Sequence, residues 1–135
     1  MAKVRGRDTK PEMRVRQALH AAGLRFRLQA RDLPGRPDIV FRSRRLAIFV
    51  HGCFWHRHND PTCKLARTPK SRLAFWEPKF AANIARDERN MAALRDMGWT
   101  VLVVWECELT NSDTIAALVA AVRKTTPRSG RLEGR

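Results

Sequence analysis

The sequence predicts a three-layer α/β domain built on a mixed sheet, and two observations carry that expectation. Three stretches repeat apolar residues at helical spacing, while four short ones are alternating or continuously apolar as strands are. Their order (helix, three strands, loop, helix, strand, helix) places helices on both faces of one sheet. The chain has 135 residues, enough to bury a single core without disulfides, and residues 1–124 are read as one domain.

The first helix opens with Thr9 and Glu12 at capping-box spacing and Pro11 in the first turn. Val15, Ala18, Leu19 and Ala22 then recur up to Gly23. LRFRLQ (24–29) alternates apolar and polar residues, which suits a strand with one wet face. LPGRP (33–37) is turn chemistry, and DIVF (38–41) and LAIFV (46–50) form a hairpin across a polar SRR turn. Asp38 therefore opens a strand and His51 follows one.

From 51 to about 76 the pattern is irregular, and a loop of that length in a compact domain is usually functional or held by something. A second helix is expected from Pro78 to Met97, stopped by Gly98, with Phe80, Ile84, Met91 and Leu94 on one face. Asp87 shares that face, so its carboxylate is either paired with Arg or Lys, the favoured reading, or close to the site. WTVLVVW (99–105) reads as a strand buried on both faces, at the sheet centre. Ser112 to Lys124 forms the last helix through Ile115, Leu118, Val119 and Val122, and residues 125–135 are a loose basic tail.

Composition narrows the function. The 27 Lys and Arg against 13 Asp and Glu give a formal charge of +14, which points to a polyanionic partner, nucleic acid first. No run approaches the roughly 18 apolar residues of a membrane span, and no apolar segment follows the N-terminus, so a cytoplasmic protein is expected. Three cysteines, an odd number, favour metal ligands or free thiols over a disulfide framework.

The stretch GCFWHRHNDPTC (52–63) concentrates the chemistry. Cys53, His58 and Cys63 have the spacing CxxxxHxxxxC, and Cys107 follows a strand that could return to the same end of the sheet. Thiolates with an imidazole suit a closed, structural Zn²⁺ site; the alternative is that Cys53 and Cys107 are small buried hydrophobes. Phe54, Trp55 and Trp76 either pack under the loop or project outward, where aromatics beside cations can stack on bases or wedge between base pairs. Cutting a phosphodiester with Mg²⁺ needs only one or two carboxylates, and Asp38 is the best placed. Glu12 is a second candidate, or simply a capping residue.

PGRPD (34–38), FVHGCFWHRH (49–58), RTPKSRLAFW (67–76), NIARDERN (83–90) and GWTVLVVWE (98–106), in this order, resemble the very short patch repair endonucleases, the Vsr mismatch nicking family. The resemblance covers residues 5 to 110 or so. It implies a restriction-endonuclease-like fold and a Mg²⁺-dependent hydrolase that nicks one strand of double-stranded DNA beside a T·G mismatch left by deamination of 5-methylcytosine. By position, Asp38 matches the magnesium-binding aspartate and Val50 the residue offering its backbone carbonyl to that metal. His56 matches the general base, and His51 and Glu12 match supporting active-site residues. Cys53, His58, Cys63 and Cys107 match the structural zinc ligands, and Phe54, Trp55 and Trp76 the aromatics that enter the duplex.

The resemblance also implies a monomer, functionally associated with a DNA cytosine methyltransferase and repair proteins and nucleoid-associated when bound to DNA. Two departures from the family pattern stand out. NDPT separates His58 from Cys63, a longer step than usual in the family, and little chain precedes the first helix to supply the family's N-terminal wedge. A restriction-like nuclease on matched DNA and a zinc-stapled DNA-binding module without catalysis are the competing readings.

Overall fold

The computed structural model describes residues 10–28, 30–53, 63 and 71–125. The first helix, α1, spans Lys10–Ala21 and turns Val15 and Leu19 into the core. Its expected cap, Thr9, lies outside the described residues, as does the tail beyond Thr125. At its far end the Gly23 N–H reaches the His20 carbonyl at 2.9 Å and the Leu24 N–H reaches Leu19 at 3.0 Å, with Gly23 at φ +79°. That is a Schellman ending.

The alternating segment after Gly23 pairs over only Arg27–Leu28 (β1). Leu24 is spent on the helix ending and buried, and Leu28 is left 41% exposed at the sheet edge. The strand expected over 24–29 is thus much shorter among the described residues, and Gln29 lies outside them.

Leu33 to Arg36 closes a turn through an Arg36 N–H to Leu33 carbonyl bond of 3.1 Å, with Pro34 second and Gly35, at φ +77°, third. This is type II turn chemistry. A Cβ on Gly35 would also stand 2.9 Å from Asn90 Cβ, so glycine is required twice over. The turn delivers the chain to β2 (Ile39–Phe41), which crosses to β3 (Leu46–His51) through a short 3-10 turn, Arg42–Arg44, and a left-handed Arg45. β2 and β3 are antiparallel in the register Ile39 with Ile48, as the hairpin reading requires.

The long helix α2 runs Leu73–Asp96, starting before Pro78 rather than at it. The Arg72 carbonyl accepts from Phe75 and Trp76, at 2.9 and 3.1 Å, and so opens the first turn. Proline then forfeits a single intrahelical bond. Trp76 and Phe80, one turn apart across the proline, stack with centroids 5.8 Å apart. Phe80 and Leu94 are buried as expected and Met91 packs against the core, but Ile84 is 38% exposed. The Asp87 carboxylate has the Arg86 guanidinium at 3.8 Å. Gly98 closes α2 with the same Schellman pattern, Gly98 to Arg95 at 2.9 Å and Trp99 to Leu94 at 3.0 Å.

Strand β4 (Thr100–Trp105) runs parallel to β3, and the sheet order is β1-β2-β3-β4. Among the described residues β4 is therefore an edge strand, and the sheet centre is the β2/β3 hairpin. The continuous apolar run misled because it reports cover on both faces, not the number of paired neighbours. Leu102 and Val104 face one core and Val101 and Val103 the other.

The last helix, α3, spans Ser112–Lys124, the limits read from the sequence, and the Asn111 side chain caps it by accepting the Asp113 N–H at 2.8 Å. Side-chain alternation divides the core. Ile39, Phe41, Leu46 and Ile48 meet α1 and α3 on one face, through Val15, Leu19, Leu118 and Val122. Val40, Ala47 and Phe49 meet Leu94 of α2 on the other. The result is a three-layer α/β arrangement with a mixed four-stranded sheet. Among the described residues no helix is long and apolar enough to cross a membrane.

Candidate functional site

Two strand ends build the site. Because β2 and β3 are antiparallel, the start of β2 lies beside the end of β3. There Asp38 Oδ2 accepts the Val50 N–H at 2.7 Å. This bond fixes the carboxylate against the backbone of Val50, so Asp38 and the end of β3 lie side by side. Asp38 as a residue is partly buried.

His51, the next residue, is buried, with the Phe49 ring at 5.9 Å and the Trp105 ring edge-on at 5.0 Å. Two aromatic neighbours fix its imidazole plane beside the Asp38 end of the sheet. Glu12 lies on α1 and is 2% exposed, its carboxylate ion-paired with Arg16 one turn later. A buried carboxylate requires such compensation. Arg16 was not singled out from the sequence, although the i,i+4 spacing of Glu12 and Arg16 signals it.

The cysteines converge for a reason that lies in the register. In the parallel β3/β4 ladder His51 is paired with Trp105, and Cys53 and Cys107 each follow their strand end by the same step. The Cys107 N–H meets Cys53 Sγ at 3.4 Å. Cys63 joins them from the loop, so that the three sulfurs all lie within 4.8 Å of one another. The NDPT step thus does not keep Cys63 away. A tetrahedral zinc with bonds of about 2.3 Å would space its sulfurs roughly 3.8 Å apart, so a modest contraction suffices.

Burial pushes the Cys53 thiol up to about 12 and raises the Cys107 thiol too. Without a cation these groups are held as neutral thiols; a bound dication inverts that preference. This cluster could hold a metal ion. Glu106, another residue that sequence reasoning passed over, accepts the Cys53 N–H at 3.4 Å and ties the two strand ends together. Only the parallel register makes that contact visible.

Trp76 is half-buried in the first turn of α2, stacked on Phe80 and edge-on to Phe75 at 5.1 Å. Phe75 is 43% exposed, with Arg72 and Lys79 over its ring at 4.6 and 4.8 Å. Phe54, Trp55, His56 and His58 lie outside the described residues.

Comparison with known proteins gives a consistent result. The family model described as DNA mismatch endonuclease Vsr matches residues 1–62. The type II nicking enzyme V.XorIIP of Xanthomonas oryzae pv. oryzae is 55% identical over 123 residues, 91% of this chain and 86% of the relative. The DNA mismatch endonuclease Vsr of Escherichia coli K12 is 46% identical over 109 residues, 81% of this chain and 68% of the relative. V.NmeAIP, a type II nicking enzyme of Neisseria meningitidis serogroup A, is 41% identical over 111 residues, with 82% and 77% covered. Identity of this order, sustained over four-fifths or more of the chain, assigns the family: the chain belongs to the Vsr DNA mismatch endonucleases and is a DNA-cleaving hydrolase.

Proposed function

We propose that the enzyme nicks one strand of duplex DNA beside a T·G mismatch, the product of 5-methylcytosine deamination, and so initiates very short patch repair. The observation that carries this reading is the Asp38 carboxylate clamped to the Val50 N–H at the end of β3, directly before His51 and Cys53. It supplies a carboxylate fixed at the entry to a strand, which is what a phosphodiester-cutting site needs. A restriction-endonuclease-like fold accords with the antiparallel hairpin followed by a parallel strand.

In this reading Asp38 and the Val50 carbonyl hold Mg²⁺. Their oxygen-only donor set suits a hard cation that keeps several waters. The cation supplies charge neutralisation at the scissile phosphate. His56 takes a proton from the attacking water as its oxygen bonds to phosphorus and the bond to the leaving sugar oxygen breaks. His51, held by its aromatic neighbours, and Glu12, paired with Arg16, support the site. Cys53, Cys63 and Cys107 with His58 hold a structural Zn²⁺, a role their mutual approach supports.

Phe54, Trp55 and Trp76 open the duplex at the mismatch, where a wobble pair is cheaper to distort than a Watson–Crick pair. The enzyme acts as a cytoplasmic monomer, in a cell whose DNA cytosine methyltransferase generates the lesion precursor. The test is a panel of labelled duplexes carrying T·G, T·A or C·G at one site, incubated with Mg²⁺ or EDTA. Mg²⁺-dependent nicking confined to one strand of the T·G duplex is expected. Equal cutting of the matched duplexes would favour a restriction-like nuclease, and binding without cutting a DNA-binding module.

A further inference from the structure

A second basic site lies at the opposite end of the sheet from Asp38. Arg27 pairs with Val40 and Leu28 with Ile39 in antiparallel register, so the chain before β1 extends toward the far end of β2. Phe26 accordingly meets Phe41, edge-on with centroids 6.1 Å apart. Phe41 stands three residues beyond Asp38, about 10 Å along the strand. At this end His20, Arg25, Phe26 and Arg27 line a cavity of about 430 Å³.

Phe26 packs against the core and carries the His20 ring at 5.6 Å, and Arg25 and Arg27, on either side of it in sequence, line the same cavity. His20, Arg25 and Arg27 are all exposed. Among the described residues neither Arg25 nor Arg27 enters an ion pair, whereas Arg42 nearby in sequence is matched by Asp32 at 2.6 Å. Neither arginine belongs to the site proposed at Asp38.

We propose that this pocket grips the phosphate backbone of a second DNA segment, so that the enzyme holds one duplex at the Asp38 end of the sheet and another at the far end. Guanidinium forks match phosphate oxygens bidentately. Phe26 is the one apolar residue of the four that line the cavity, which gives no broad apolar floor for a peptide. The contact therefore carries no sequence information and suits transfer between segments during a search. The inference rests on DNA being the substrate but not on mismatch specificity.

The experiment is capture. Enzyme is bound to an immobilised T·G duplex, and retention of a second, labelled, matched duplex is measured at salt concentrations from about 50 mM upward. Wild type should retain the second duplex. The Arg25→Ala/Arg27→Ala double variant should lose at least tenfold of that capture, with a salt slope lower by roughly 0.9 per phosphate contact removed. Its single-turnover nicking of a short T·G duplex should stay within twofold of wild type. Arg25→Lys/Arg27→Lys, which keeps the charge, should retain most of the capture and so separates charge loss from misfolding.

Undiminished capture by the alanine variant would overturn the proposal. So would parallel loss of capture and nicking, which would assign both arginines to the primary interface. Wild-type enzyme that captures no second duplex even at the lowest salt would overturn it as well, leaving an acidic protein segment as the better occupant. Because capture reads binding alone, it succeeds or fails independently of whether T·G is the preferred substrate.

Discussion

The backbone N–H of Cys107 points at the sulfur of Cys53, 3.4 Å away, although the residues are 54 apart in sequence. The parallel pairing of His51 with Trp105 produces this contact, since each cysteine follows its strand end by the same interval. The candidate metal site is thus built at two adjacent strand ends, with only Cys63 and the proposed His58 contributed by the loop.

Loss of either sheet-borne cysteine should therefore unfold more than a loop. Cys53→Ser and Cys107→Ser are expected to weaken zinc binding and to lower the melting temperature at least as far as chelation of the wild type does, because metal binding and folding are coupled at such sites. Elemental analysis should find about one zinc per wild-type chain, and chelation should lower its melting temperature. A metal-free preparation that melts like the wild type would contradict the zinc assignment.

Zinc uptake should strengthen with pH. The Cys53 thiol, pushed up to about 12 by burial, and the Cys107 thiol, also raised, are protonated in the metal-free protein, so coordination by the three sulfurs releases up to three protons. The metal-free fold follows the opposite rule. A thiol raised from 9.0 to about 12 stabilises the folded state below the lower value, and that contribution is lost as pH climbs toward the upper one. Competition titrations between pH 6 and 8, with proton release read by dye, measure the first effect; alkaline melts of the chelated protein measure the second.

Gly35→Ala tests the turn that delivers Asp38. With φ at +77° and Asn90 Cβ 2.9 Å from the new methyl, the substitution should destabilise by roughly 1–3 kcal/mol. Because the displaced turn leads into Asp38, nicking by the still-folded fraction should fall as well. Denaturant unfolding and single-turnover rates together check both effects, and unchanged values in each would mean that the turn does not set the carboxylate.

Trp76→Ala should act on discrimination more than on stability. The ring is half-buried and its stack on Phe80 contributes about 0.5–1.5 kcal/mol beyond area burial, so the protein should remain folded. The ratio of T·G to T·A nicking should drop at least tenfold if Trp76 helps to open the duplex. A preserved ratio would make Trp76 a packing residue under the aromatic cluster.

Local chemistry was legible in the sequence, and pairing was not. The apolar spacing of Ile115, Leu118, Val119 and Val122 defines α3 without outside help, and the glycines at 23 and 98 end their helices by a bond pattern that sequence readily signals. The start of α2 was not legible. Pro78 resembles a helix opener, and only the stacking of Trp76 on Phe80 reveals the turn before it. Nor could the edge position of β4 be read from seven apolar-rich residues, because strand order depends on hydrogen-bond partners. The same dependence hid Glu106 and made the approach of Cys53 to Cys107 an expectation rather than a deduction.

The most direct test separates cutting from folding in one variant, Asp38→Asn. The amide oxygen can still accept the Val50 N–H, so zinc content and melting temperature should match the wild type. The anionic magnesium ligand is lost, and single-turnover nicking of the T·G duplex should fall by about a thousandfold or more at undiminished DNA affinity. Nicking within tenfold of wild type by this folded, zinc-bearing variant would contradict the account.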